Sequence, residues 1–195
     1  NGGSVNLLDE YLENQRKTFP ADGYKMYFID NHDENSWNGT IQSRIGPNAH
    51  SAFILCCTFS QGMPLIYSGQ EAGLSKSLRF FSRDTISWEN TSEIEFYSKA
   101  LDLKKSQKSL ANGGFGGIQN RIITNNNSVY AFSREKEDNN VVVFLNFSDK
   151  NEEIYYQNAP RGKYINSFNG EEMIIKKSGQ IILEPNSYIV LIKNS

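Results

Sequence analysis

Histidine and cysteine are scarce in this chain of 195 residues, which holds two of each, and Cys56 and Cys57 stand side by side. Adjacent cysteines rarely meet the geometry of an ordinary disulfide, so the pair reads as core thiols. Two histidines and one contiguous cysteine pair leave no ligand spacing for a zinc site. Long apolar runs are missing too. The longest, AFILCCTF from Ala52 to Phe59, is too short to cross a bilayer and reads as a buried helical segment. Charge of one sign is nowhere concentrated: twenty Lys and Arg against twenty-two Asp and Glu give a net charge of −2. Capture of nucleic acid or an anionic membrane therefore has no electrostatic basis, and a neutral partner fits better. The opening residues, NGGSVNLLDEY, contain neither an initiating Met nor a basic-then-apolar leader. Any export signal is expected upstream, and the compartment stays open.

What is plentiful is aromatic. Ten Tyr and twelve Phe suit either stacking on sugars or a β-rich core, the second being the commoner cause. Apolar spacing from Ser4 to about Arg16 predicts a helix, broken at Pro20 to Gly23. KMYFIDN, Lys25 to Asn31, reads as a short strand ending in polar groups. Pro47 then precedes a buried helix over Ala49 to Phe59, stopped at Gly62, and PLIYS, Pro64 to Ser68, is a second short strand. A loop of about twenty residues leads to a helix starting near Ser92, where Ser92 and Glu95 match a capping box, and running to about Lys105. Its Lys99, Lys104, Lys105 and Lys108 read as a solvated face.

ANGGFGG, Ala111 to Gly117, marks a change of composition and is taken as a hinge and domain boundary. Beyond it come RIITN, VYAFSR, VVVFLNFS, EIYYQ, KYINSF, EMIIKK, QIILE and SYIVLI. These strand-like runs, separated by turn residues, predict an antiparallel sandwich of about seven or eight strands. The chain thus divides into an α/β part, residues 1–110, and an all-β part, residues 111–195.

Two segments carry candidate chemistry. FIDNHDENSW places Asn31, His32 and Asp33 at a strand exit, where side chains can converge on a ligand. Taken alone, such a triplet is more often a turn held by Asn and Asp. The second segment, GMPLIYSGQE from Gly62 to Glu71, lies at the next strand exit. YSGQE lacks the Gly-x-Ser-x-Gly frame of a hydrolase elbow, and GGFGG lacks the Lys and Ser/Thr of a phosphate loop. Sequons at Asn38, Asn90, Asn126 and Asn146 matter only in a glycosylating source.

In this order, and followed by the β-rich region, the two segments resemble the α-amylase family of glycoside hydrolases. FIDNHD is similar to the family's signature at its seventh barrel strand, and GMPLIYSGQE to the segment at its eighth. FYSKALDLKKSQKSL is similar to the family's eighth helix, while VYAFSR and VVVFLNFS resemble its following all-β domain. The resemblance implies the last two β/α units of a (β/α)8 barrel, followed by the sandwich. It also implies that Asp33 is the third active-site carboxylate, stabilising an oxocarbenium-like transition state, and that His32 binds a hydroxyl of the same sugar. Asn31 would line or support that site, and Glu71 would be structural.

The implied parent acts on α-glucans or maltooligosaccharides with retention of configuration. Its nucleophile and general acid, and a calcium-binding inserted domain, are expected upstream of residue 1. No cofactor is expected in this chain, which alone should be inactive and prone to self-association through its uncovered barrel strands. Two other readings are kept: a non-catalytic amylase-like scaffold, and a sandwich that itself binds carbohydrate.

Overall fold

The structure, a computed structural model, describes residues 4–20 and 22–193. Residues 1–3, 21, 194 and 195 of the expected ranges lie outside the described residues. The first part of the chain runs α1 (Asn6–Thr18), β1 (Lys25–Phe28), a π-helical turn over Glu34–Asn38, α2 (Ile41–Arg44), α3 (Ala49–Thr58), β2 (Gly62–Leu65) and α4 (Ile94–Ser106). Strands β1 and β2 pair in parallel, Tyr27 opposite Pro64 and Phe28 opposite Leu65. A parallel pair needs a long crossover, and α2 and α3 supply it.

The second part holds β3 (Ile118–Thr124), β4 (Val129–Lys136), β5 (Asn139–Asn146), β6 (Glu152–Gln157), β7 (Gly162–Asn166), β8 (Glu172–Ile175), β9 (Ser178–Leu183) and β10 (Tyr188–Lys193). Each of the eight expected runs is a strand. Their order is β8-β7-β10-β5-β4-β3-β6-β9, and every pairing is antiparallel.

Burial along the strands explains their composition. VVVFL in β5 is buried at every position, which only a strand covered on both faces requires. On one face Tyr130, Phe132, Val141, Val143, Leu145 and Val190 join a core with α3 and α4. On the other, Val129, Ala131, Val142, Phe144 and Leu191 pack with Ile154 and Tyr156 of β6, Tyr164 of β7 and Leu183 of β9. The outer strands thus close over the central ones. β6 and β9 need only one apolar face, and both show the period-2 alternation.

Helix α3 is apolar all round, as a helix between two layers must be, with Phe53, Ile54 and Cys57 fully buried. Cys56 and Cys57 are free and buried, and burial pushes the Cys56 thiol up to about 12. Polar staples join helices to sheet. Asp9 of α1 accepts from Arg121 Nε and from the Tyr130 hydroxyl, both at 3.0 Å. Arg134 of β4, almost wholly buried, donates to the Thr58 carbonyl at 2.7 Å and the Gly117 carbonyl at 3.1 Å.

Several local expectations give way. No side chain caps α4: the Ser92 N–H donates to Asn90 Oδ1 at 3.0 Å, and Glu95 pairs with Lys99 at 2.8 Å. Lys104 is not on a solvated face. Its ammonium donates to the carbonyls of Gly62 and Leu110, and burial, with the Arg134 charge nearby, lowers its pKa to about 8. The second strand begins and ends earlier than Pro64–Ser68. The Ala111–Gly117 segment is pinned rather than loose, since the Gly117 N–H donates to the Ser109 carbonyl at 2.7 Å. The Asn146 sequon is closed to a glycan, being buried with its amide donating to the carbonyls of Lys150 and Glu184.

Candidate active site

Asn31, His32 and Asp33 follow β1 directly, where the chain turns from an extended strand into the π-helical turn. Such turns recur at functional sites. The side chains of His32 and Asp33 are 65% and 62% exposed, with His32 Nε2 3.6 Å from Asp33 Oδ2. Asn31 folds back, its Oδ1 accepting from the Glu34 N–H at 2.8 Å. The three expected residues therefore divide: His32 and Asp33 face solvent together, while Asn31 closes the turn that carries them.

What holds this turn is a residue left without a role in the sequence reading. Asp30 is buried, its Oδ1 2.6 Å from Arg44 Nη2, and its Oδ2 accepts from Asn35 Nδ2 at 3.3 Å. Burial raises its pKa, while Arg44, Asn35 and the Asn31 N–H act the other way. Arg44 also reaches the carbonyls of Ile29 and Gly39 and lies 3.4 Å from Glu34 Oε2. One guanidinium thus gathers both ends of the loop.

The loop after β2 is tied to the same place. Asn35 Oδ1 accepts from the Leu78 N–H at 2.7 Å, and its amide nitrogen lies 3.3 Å from the Lys76 carbonyl. Gly69 adopts φ +92°, which favours glycine, to start the turn in which Glu71 accepts from the Gly69 N–H at 3.1 Å. Glu71 thus braces its own turn. The tie brings Phe80 to 5.8 Å from the His32 ring and 5.2 Å from Trp37, centroid to centroid. No spacing in the sequence announces these aromatic neighbours.

A cavity of about 420 Å³ opens elsewhere, between the starts of α3 and α4, lined by His50, Gln70, Leu74, Glu93 and Tyr97 among others. Asn31, His32 and Asp33 do not line it. Among the described residues no group of three or more His, Cys, Asp and Glu is placed to hold a metal ion. Among the described residues no helix is long and apolar enough to cross a membrane.

The helix-backed antiparallel sheet is an all-β domain of the kind found in amylases. Residues 122–193 match the family model described as "Alpha amylase, C-terminal all-beta domain". A cyclomaltodextrinase from Thermoanaerobacter pseudethanolicus is 30% identical over 140 residues, 67% of this chain and 22% of that protein. An alpha-amylase from Dictyoglomus thermophilum is 28% identical over 180 residues, 85% of this chain and 28% of that protein. The chain thus spans about a quarter of the length of these relatives. Among solved structures, a noncanonic maltogenic alpha-amylase from Thermotoga neapolitana superposes with a TM-score of 0.79 at 18% identity, over 97% of this chain and 46% of that one. An alpha-amylase from Geobacillus thermoleovorans, solved with acarbose, gives 0.77 at 18% identity, over 97% and 43%. Residues 122–193 therefore form an all-β domain of the kind that ends alpha-amylases.

Proposed function

We propose that this chain is part of a longer retaining α-glycosidase that acts on α-glucans or maltooligosaccharides. In this reading α1 to α4 with β1 and β2 form the last quarter of a (β/α)8 barrel, and the all-β domain packs behind it. The observation that carries the reading is the joint placement of Asn31, His32 and Asp33 at the β1 exit, upstream of the matched domain at 122–193. Structures of an alpha-amylase with acarbose and of AmyP with maltose, similar in fold to this chain, support a carbohydrate substrate.

The roles follow from chemistry. Cleaving a glycosidic bond builds positive charge at the anomeric carbon, and a carboxylate beside it is more stabilising in the transition state than in the ground state. Asp33 supplies that charge and accepts hydrogen bonds from sugar hydroxyls. His32 binds a hydroxyl of the same ring, and Asn31 holds the turn. Retention also needs a nucleophile and a protonated acid about 5 to 5.5 Å apart. We assign neither to this chain, so alone it should not turn over substrate.

Two assays test this. The isolated chain should release no product from a chromogenic maltooligosaccharide, and turnover above buffer would mean that the acid and nucleophile are within it. In the longer protein, Asp33→Asn should lower kcat by about 10² to 10³-fold. An unchanged kcat would remove Asp33 from the chemistry and favour a scaffold.

A further inference from the structure

We propose that Arg161, Lys163, Lys176 and Lys177 form a site in the all-β domain for a small polyanion, a ligand carrying two or more phosphate groups. The site shares no residue with the β1 exit, so it stands or falls apart from the reading of Asp33.

Along the chain these cations are two separate pairs, and folding joins them. In the β7–β8 hairpin Gly162 stands opposite Ile175 and Lys163 opposite Ile174, which brings Arg161 and Lys163 up beside Lys176 and Lys177. Between the pairs opens a recess of about 660 Å³, whose wall Ser178 and the exposed Ile174 complete. Its lining lies wholly within residues 161–178, inside the matched region. Tyr164 and Ile175 beneath it belong to the core layer on the side of the sheet away from α3 and α4. The opening is therefore the all-β domain's own, built without any residue of the barrel-like part.

The positive charge is uncompensated. Lys17, Arg44, Lys76, Lys99 and Arg121 each pair with a carboxylate, whereas among the described residues none of these four cations does. The acids of the same strands sit at their far ends. Glu172 is opposite Ile165, about 10 Å along β8 from Ile175 at the rise of a strand. Glu152 and Glu153 of β6 pair with Leu183 and Ile182, at the end of β9 remote from Ser178. Glu135, whose charge reaches Tyr164, is taken by the Ser133 hydroxyl at 2.7 Å and the Asn120 amide at 3.1 Å. In a chain of net charge −2 this is a local excess of one sign, and a recess lined by one sign focuses its field on an incoming counter-charge.

The backbone that carries the cations is held in place. The Ala159 N–H donates to the Lys177 carbonyl at 3.1 Å, and the Tyr164 hydroxyl donates to the Pro160 carbonyl at 3.1 Å. Ala159 and Tyr164 are both buried, so the two sides of the recess are fixed from below. Binding then has only side-chain ends to order.

Phosphate matches this site better than other anionic groups. A phosphate monoester carries about −1.5 to −2 charges on three oxygens, so two such groups answer four cations, where carboxylates would have to number four in the same recess. The Arg161 guanidinium can donate two parallel hydrogen bonds to one phosphate, and the lysines act as point charges around it. A bilayer presents its phosphates on a plane and meets the rim of a recess, not its interior. Free polyphosphate and phosphate esters on a glucan share the chemistry that fits.

The test titrates the chain by calorimetry, at fixed ionic strength, with tripolyphosphate, a phosphorylated maltooligosaccharide, maltoheptaose and hexaglutamate. Wild type is compared with the double variants Lys176→Gln/Lys177→Gln and Arg161→Gln/Lys163→Gln, and with Lys99→Gln/Lys105→Gln on α4 as a control. All six side chains are exposed, so their loss should leave the fold intact, which circular dichroism checks. We expect saturable tripolyphosphate binding that weakens by about tenfold or more in each cleft variant, is unchanged in the control and falls as salt rises. Tighter binding of the phosphorylated oligosaccharide, with that gain lost in the cleft variants, would identify an esterified glucan as the source; the reverse order would identify free polyphosphate. No saturable tripolyphosphate binding at millimolar concentration, equal affinity in the cleft variants, or tighter binding of hexaglutamate would each overturn the site, and none of them touches the assignment of Asp33.

Discussion

Arg44 Nη2 lies 2.6 Å from Asp30 Oδ1, and the two side chains are only 19% and 3% exposed. This pair, one residue before Asn31, fixes the direction in which the candidate carboxylate leaves the sheet. Breaking a buried pair by removing one partner typically costs about 3–5 kcal/mol, because a charge is left uncompensated. Arg44→Met should therefore destabilise the chain by about that amount in thermal or urea unfolding, and shift the resonances of residues 30–38 more than those of the sheet.

The loss should depend on pH. The Asp30 carboxyl already sits above its ordinary value, burial being the leading cause. Removing Arg44 raises it further, so the folded variant binds a proton that the unfolded chain has released. Stability of Arg44→Met should be best below the ordinary carboxylate range near 4 and fall as pH rises toward neutrality. A difference from wild type that is the same at pH 4 and pH 7 would mean that the buried charge is not what the substitution exposes.

Alkaline stability is set by other groups. Burial pushes the Tyr164 and Tyr188 phenols up to about 12, with the Glu135 charge adding at Tyr164 and Glu93 at Tyr188. A phenol whose folded pKa exceeds its unfolded value keeps its proton when the unfolded chain releases it. The stabilisation is whole below about pH 10 and drains away as pH climbs toward 12. Tyr164→Phe removes one such group, at the cost of the hydroxyl's 3.1 Å bond to the Pro160 carbonyl. Its melting temperature should be lower at pH 8 yet decline less steeply between pH 10 and 12; parallel curves would exclude Tyr164 from the effect.

Gly117 has no room for a side chain. A Cβ there would meet the Glu135 carbonyl oxygen at 2.5 Å and its carbonyl carbon at 2.6 Å, both backbone atoms of β4. Backbone in a central strand cannot yield as a flexible side chain does, so Gly117→Ala should cost about 1–3 kcal/mol by denaturant unfolding. An unchanged midpoint would show that the Ala111–Gly117 segment is freer than its hydrogen bonds imply.

These cases separate what the sequence discloses from what it conceals. The eight strands are legible because each carries its own signal, either continuous apolar burial as in β5 or alternation as in β6, bounded by turn residues. Asn31, His32 and Asp33 stand out as candidates only through the resemblance that their segment and GMPLIYSGQE carry together, since three polar residues at a strand exit are by themselves more often a turn. The Asp30–Arg44 pair is not legible, since only folding brings together partners fourteen positions apart. Phe80 and Phe81 meet Trp37 through a loop held by Asn35, a contact with no period or spacing to betray it. Ser92 misleads because Asn90 takes its N–H, and Lys104 misleads because a charge at helical spacing with Lys108 looks solvated until two carbonyls close around it.

The strands β1 and β2 bear on how the isolated chain behaves. They form a two-stranded parallel sheet, whereas parallel sheets ordinarily have both faces covered. Met26 is 52% exposed and Phe28 40%, and the outer edges of both strands offer unpaired backbone groups to another chain. Light scattering across a concentration series should show the mean mass of the isolated chain rising with concentration. Met26→Lys, placing a charge on the exposed face, should bring the mass back toward 22.1 kDa. A clean monomer at every concentration, unfolding in one cooperative step, would mean that this surface is satisfied within the chain itself; that outcome would weaken the view of β1 and β2 as two strands of a larger barrel.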